Sequence, residues 1–141
     1  FDLRILIEID LFRRAIPNMS QADFDRCEDI LRKMETSYDA GDATQWGALN
    51  FDYHTALYAA AGRGLTNELL HRVNLQSDRY VRMHLSLAGH LDSAKDEHRQ
   101  LLTFAKSRNL DAAAALLTHH ISKTKDELVK MIAELREAET R

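Results

Sequence analysis

Pro17 is the chain's single proline, and it stands among only 5 glycines in 141 residues. These two residue types most disfavour a helix interior. A chain so poor in them, and rich in Leu, Ala, Glu, Lys and Arg, favours long helices over a turn-rich β-sandwich. The 45% apolar fraction supplies one real core, and the length suits one domain. The expectation is an all-α antiparallel bundle of about six helices filling residues 1–141.

Residues 2 to 16 read as a first helix, carrying Leu3, Ile5, Leu6, Ile9, Leu11 and Phe12 and stopping near Pro17-Asn18. Ser20, whose hydroxyl can accept from an unpaired backbone N–H, caps a second helix to about Asp39, closed by Gly41. Asp42 opens a third, with Trp46, Leu49, Tyr53, Leu57 and Tyr58, up to the Gly62-Arg63-Gly64 break. A fourth runs from about Leu65 to Leu87, with Leu69, Leu70, Val73, Tyr80 and Met83 as apolar contacts and Gly89 as its end. Asp92 or Ser93 caps a fifth, striped by Leu91, Ala94, His98, Leu101 and Ala105, before the Ser107-Arg108-Asn109 turn. The sixth begins near Asp111. Its seam of Leu110, Ala114, Leu117, Ile121, Thr124, Leu128, Met131 and Leu135 alternates spacings of four and three, the pattern of a helix packed lengthwise on another.

The 19 basic and 22 acidic side chains give a formal charge of -3. That lacks the concentrated positive charge that phosphate neutralisation needs, so this segment alone should not grip DNA. One cysteine, Cys27, can make neither an internal disulfide nor a multi-thiolate zinc site. It reads as a small packed residue, with a reducing cytoplasm as the natural compartment. No apolar run approaches the roughly 18 residues of a membrane span, and no signal-peptide pattern opens the chain. Phe1-Asp2-Leu3-Arg4 already reads as helix without an initiator Met, the expectation for a piece of something longer.

Seven histidines divide by position relative to the apolar stripes. His54 continues the Trp46, Asn50, Leu57, Ala61 face, His98 interrupts an apolar stripe, and His120 lies about 60° from Leu117 at 100° per residue. His119 turns a further 100° away and reads as a surface neighbour. A single inward histidine is ordinarily a hydrogen-bonded core residue. Three in one bundle leave several ring nitrogens to satisfy, and imidazole is a common ligand for transition metals. His98 and His120 each stand 11 residues, about 16 Å at a 1.5 Å rise, from Asn109 in the turn between helices five and six, so an antiparallel hairpin sets them at one height. Asn50 precedes His54 by four, one turn back on the same face, whereas Asp52 is rotated about 200° away. The candidate metal ligands are therefore Asn50, His54, His98 and His120, around an ion that is five- or six-coordinate where exchangeable ligands join it.

Leu49-Asn50-Phe51-Asp52-Tyr53-His54, then Glu97-His98-Arg99, then His120-Ile121 after an alanine-rich stretch, resembles the C-terminal effector-binding domain (FCD) of FadR-type regulators in the GntR family. Leu3-Arg4 and Glu8 near the start and Ala60-Ala61-Gly62 before helix four extend the resemblance over essentially the whole chain. The resemblance implies an all-α domain that binds a small carboxylate effector at a divalent ion and forms a homodimer. It also implies that operator DNA is bound only by an N-terminal winged helix-turn-helix absent from this chain. Zinc is the first choice of ion, with nickel and manganese as alternatives. The family position usually occupied by Asp is Asn50 here, so the ligand set brings no negative charge and favours an anionic further partner. Arg4, which matches the family's helix-one arginine, and Arg79 and Arg82 on helix four are the candidate effector contacts, because a guanidinium holds a carboxylate bidentately.

Two other readings compete with a ligand-sensing domain that is not an enzyme. One is a mononuclear metalloenzyme on a helical bundle. Glu68-Leu69-Leu70-His71 has the spacing of a di-iron motif, but its second copy is missing, and no inward carboxylate has a recognisable general-base spacing. The other is a metal-free interaction bundle whose inward histidines satisfy one another. Trp46 and Tyr53 read as core in all three.

Overall fold

The computed structural model describes residues 1–88 and 92–141, with the side chains of 84–88, 92 and 93 outside the described set. Six helices follow in chain order: α1 Asp2–Ala15, α2 Gln21–Asp39, α3 Ala43–Tyr58, α4 Gly64–Ala88, α5 Asp92–Lys106 and α6 Leu110–Glu139. Short 3₁₀ turns at Ile16–Asn18 and Ala59–Ala61 follow α1 and α3, and no strand occurs among the described residues. The all-α bundle expected from the scarcity of proline and glycine is the fold observed.

Local chemistry sets the helix ends. Pro17 sits in the first turn of its 3₁₀ segment, where a missing N–H costs nothing. Ser20 and Asp23 form a reciprocal capping box on α2: the Ser20 hydroxyl accepts from the Asp23 N–H, and the Asp23 carboxylate accepts from the Ser20 N–H at 2.8 Å. Asp42 caps α3 by accepting from Gln45 N–H, and Asn109 caps α6 by accepting from Ala112 N–H. Gly41, at φ +71°, closes α2 in the left-handed conformation that favours glycine.

α1 packs against α3, α4 and α6, while α2 lies on α3 and α5, and α5 on α6. The shared core contains Leu11, Phe12, Leu31, Tyr53, Leu57, Leu101 and Leu117. Three expectations about the stripes need correcting. On α1, Leu3 and Leu6 are 53% and 71% exposed, and the buried face is Glu8, Leu11, Phe12 and Ala15. On α4, Leu69 is 48% exposed and Leu70 is buried, because it is Leu70's side of the helix that meets the bundle. On α6 the seam holds through Leu128 and fades at Met131, and Leu135 is exposed, since the 30-residue helix, about 45 Å long, outruns its neighbours. Gly89 and Leu91, and the capping side chains expected at Asp92 or Ser93, lie outside the described set. Among the described residues no helix is long and apolar enough to cross a membrane. Cys27 is buried, and desolvation pushes its thiol up to about 12.

The turn between α5 and α6 is tied to the α1–α2 junction by one residue. Arg108 adopts φ +58°, unusual for a residue with a β-carbon. Its guanidinium donates to the carbonyls of Ile16 and Met19 and lies 5.1 Å from the centre of the Phe24 ring. Arg108→Ala should therefore lower unfolding free energy by about 1–2 kcal/mol in urea titrations, because two carbonyls lose a charged donor. An unchanged midpoint would show the clamp to be energetically idle.

Candidate metal centre

α3, α5 and α6 each direct one buried imidazole inward. His54, His98 and His120 are 5%, 1% and 8% exposed, and one nitrogen from each lies within 4.8 Å of the other two. Ring centres are 4.6 Å apart for His98 and His120, 5.2 Å for His54 and His98, and 5.5 Å for His54 and His120. The hairpin register about Asn109 explains the first pair, which sits at one height between α5 and α6. Trp46 and Tyr53 wall the cluster, and Tyr53 donates its phenolic proton to the His98 carbonyl at 2.6 Å.

The outer nitrogens are held from behind. His120 Nδ1 is 2.6 Å from Glu97 Oε2. His54 Nδ1 is 3.2 Å from the Tyr58 hydroxyl, which donates to Glu8 Oε2 at 2.5 Å, and Arg4 Nε donates to the other Glu8 oxygen at 2.8 Å. On the inner side, the Nε2 atoms of His54 and His98 are 3.2 Å apart. His98 Nδ1 is buried without a hydrogen bond of ordinary geometry among the described residues. Burial, with the adjacent His120 adding to it, pushes the pKa values of His54 and His98 well below the usual imidazole value, so both rings are neutral. Burial opposes the charge on Glu97, but the His120 hydrogen bond and the nearby His120, Lys123 and His119 outweigh it and hold the carboxyl below its usual range.

Asn50 and Arg4 line a small cavity with His54, together with Gly47, Asn74 and Asp78. The cavity measures about 30 Å³, room for a water-sized group. Asn50 Oδ1 is buried with no hydrogen-bond partner among the described residues. An orphaned amide oxygen in the cavity that His54 lines, beside three buried imidazoles, is a donor set that fits a borderline divalent ion. Arg82 pairs with Asp78 at 2.8 Å and lies over Gly47, at the cavity's rim. Arg79 is exposed, lies along the Tyr80 ring and does not line the cavity. His119 is exposed, as its rotation predicts.

Three contributors to the site escaped the periodicity argument. Glu8 occupies α1's buried face at i−3 and i−4 from Leu11 and Phe12, and a carboxylate there was the available signal. Tyr58 follows His54 by four, and Glu97 shares the α5 stripe through Ala94 and Leu101; both spacings were legible, but neither residue is a metal-ligand type that stood out beside the histidines.

The depressed values of His54 and His98 have a consequence for stability. The folded protein keeps both rings neutral, while the unfolded chain binds protons as pH falls through about 6.5. Stability is therefore complete above that value and is lost progressively toward the lower folded values. In chelator, the melting temperature should fall steadily between about pH 7 and pH 5, with a shallower fall in His98→Gln. A flat profile across that interval would contradict the assignment of neutral rings.

The sequence profile of the FCD domain matches residues 1–123. No curated protein sequence matches the chain. Among solved structures, Escherichia coli McbR/YncC superposes with a TM-score of 0.86 at 15% identity, covering 93% of this chain and 63% of that one. A GntR-family transcriptional regulator from Pseudomonas syringae pv. tomato str. DC3000 superposes with a TM-score of 0.86 at 25% identity, covering 98% of this chain and 57% of that one. The chain thus spans about three fifths of the length of these solved relatives. It belongs to the FCD family, and the solved structures it resembles include a GntR-family transcriptional regulator.

Proposed function

We propose that the domain senses a small carboxylate at a divalent-metal centre held by His54, His98 and His120, with Asn50 as the fourth protein donor. Binding is passed through a homodimer to a winged helix-turn-helix outside these residues, changing its hold on operator DNA in the cytoplasm. The observation that carries this reading is the meeting of three buried imidazoles within 4.8 Å, beside an orphaned Asn50 oxygen. Zinc suits an imidazole set first, with nickel and manganese as alternatives. A bound divalent ion would supply positive charge that no first-sphere protein ligand offsets, and hence an anchor for an anion.

Arg4 is the candidate anion contact nearest the centre, because it lines the cavity while only one of its nitrogens is committed to Glu8. Arg82 serves from the rim, and Arg79 reaches the cavity only after a side-chain rearrangement. A volume of about 30 Å³ admits a carboxylate group at most, against several hundred for a typical ligand pocket. The rest of an effector must displace a wall. α4 supplies Asn74, Ser77, Asp78 and Val81 to that wall and is anchored by Leu70 as its one fully buried side chain among the described residues, so it is the element that yields. Signalling then requires the effector to favour one dimer arrangement by about 1–3 kcal/mol.

Protein purified without chelator or histidine tag should carry close to one ion per chain or take up zinc stoichiometrically. His98→Ala and His120→Ala should abolish uptake and carboxylate-induced thermal stabilisation together. Less than about a tenth of an ion per chain, with no uptake of added zinc or nickel, would favour a metal-free interaction bundle. Asn50→Asp should tighten zinc binding by about tenfold or more in competition titrations, since a carboxylate adds the charge that the amide lacks. Unchanged affinity would remove Asn50 from the ligand set.

A further inference from the structure

We propose that Glu8 and Tyr58 are positioning residues for the centre: together they hold the His54 proton on Nδ1 and turn its Nε2 lone pair toward the point shared with His98 and His120. The inference rests on the metal reading above for its purpose, but the proton's location can be observed without any metal.

Arg4 forms an ion pair with Glu8 at 2.8 Å, so Glu8 is a carboxylate and can only accept. The Tyr58 hydroxyl has one hydrogen, and at 2.5 Å from Glu8 Oε2 that hydrogen is committed. What Tyr58 offers His54 Nδ1, 3.2 Å away, is a lone pair. His54 Nδ1 must therefore be the donor. A neutral imidazole carries one N–H, so Nε2 is left bare, and it is this atom that faces His98. Glu8 and Tyr58 are both 0% exposed, which keeps water from relieving either partner and makes the alternative tautomer leave a buried group unpaired.

A second carboxylate repeats the device on another helix. Glu97 accepts at 2.6 Å from His120 Nδ1, so Nε2 is the nitrogen of that ring that Glu97 does not engage. Two of the three rings are thus oriented by a buried acceptor chain that starts from a different helix than the ring itself, or from the facing side of the hairpin. Carboxylate-backed histidines are how proteins fix the orientation and basicity of metal-binding imidazoles.

Tyr58→Phe deletes the hydroxyl and keeps the ring that meets Phe12 edge-on at 5.9 Å. Long-range proton–nitrogen spectra of the metal-free protein should show His54 as the Nδ1–H tautomer in the wild type and a shift toward Nε2–H in Tyr58→Phe. Zinc affinity should fall by about 10–100-fold at unchanged stoichiometry and helix content. Glu8→Gln is the second variant, and it serves alone if Tyr58→Phe does not fold: it frees the Tyr58 hydrogen to point at His54 Nδ1 and should give the same two changes. An Nε2–H His54 in the wild type, or a folded variant with wild-type tautomer and wild-type zinc affinity, would overturn the proposal. A wild type that takes up no zinc would defeat the sensor reading instead, and the tautomer spectra would then decide the proton's location by themselves.

Discussion

Three imidazoles buried within a few ångströms of one another impose a condition that the surrounding residues have to meet. Each ring carries two nitrogens, burial disfavours the charged form of His54 and His98, and an unpaired buried nitrogen costs about 1–3 kcal/mol. The bundle meets this condition from the outside: Tyr58 with Glu8 behind His54, and Glu97 behind His120. On the inside it leaves the nitrogens facing one another. Hydrophobic packing alone would not select such an arrangement, since replacing the cluster with leucines would remove the polar condition altogether. The arrangement has a physical purpose when something positively charged and coordinating takes up the inward lone pairs.

How far the sequence reveals this can be argued residue by residue. The helices were legible because their start and stop signals are local: Ser20 and Asp42 act through backbone N–H groups three residues away, and Gly41 closes α2 from the next turn. The His98–His120 pairing was legible because one short turn fixes a hairpin's register. The depth of burial was not. Leu3, Leu6 and Leu69 satisfy a helical period yet face outward, and Glu8 breaks the period yet is fully buried, because which arc of a helix is covered depends on neighbours distant in sequence. The same holds for Arg79 and Arg82, which share α4 and are separated by its rotation: Arg82 meets Gly47 and Asp78 while Arg79 lies along Tyr80.

The electrostatics also separate sensing from catalysis. Glu8 is taken up by Arg4 and Tyr58, Glu97 by His120 with Lys123 nearby, and Asp78 by Arg82. Each carboxylate near the cluster is already holding something in place, so none is poised to accept a proton from a substrate or a water. Groups committed in this way fix the rings and the cavity's polar lining in place before any ligand arrives.

Arg4 is the residue where ligand and metal would be felt together. It lines the cavity and it also anchors Glu8, whose carboxylate fixes Tyr58 and through it His54. A carboxylate entering the cavity would compete with Glu8 for the same guanidinium, so its arrival would alter the group that orients the proposed metal ligand without having to touch that ligand. Whatever free energy couples the two events acts equally in both directions: an effector that tightens the centre is itself bound more tightly when the centre is filled. On the proposed reading, Asn50 would strengthen that coupling by leaving the protein's own donor set without negative charge. The missing negative charge would then have to come from the effector, which would make occupancy by an anion part of how the centre is completed.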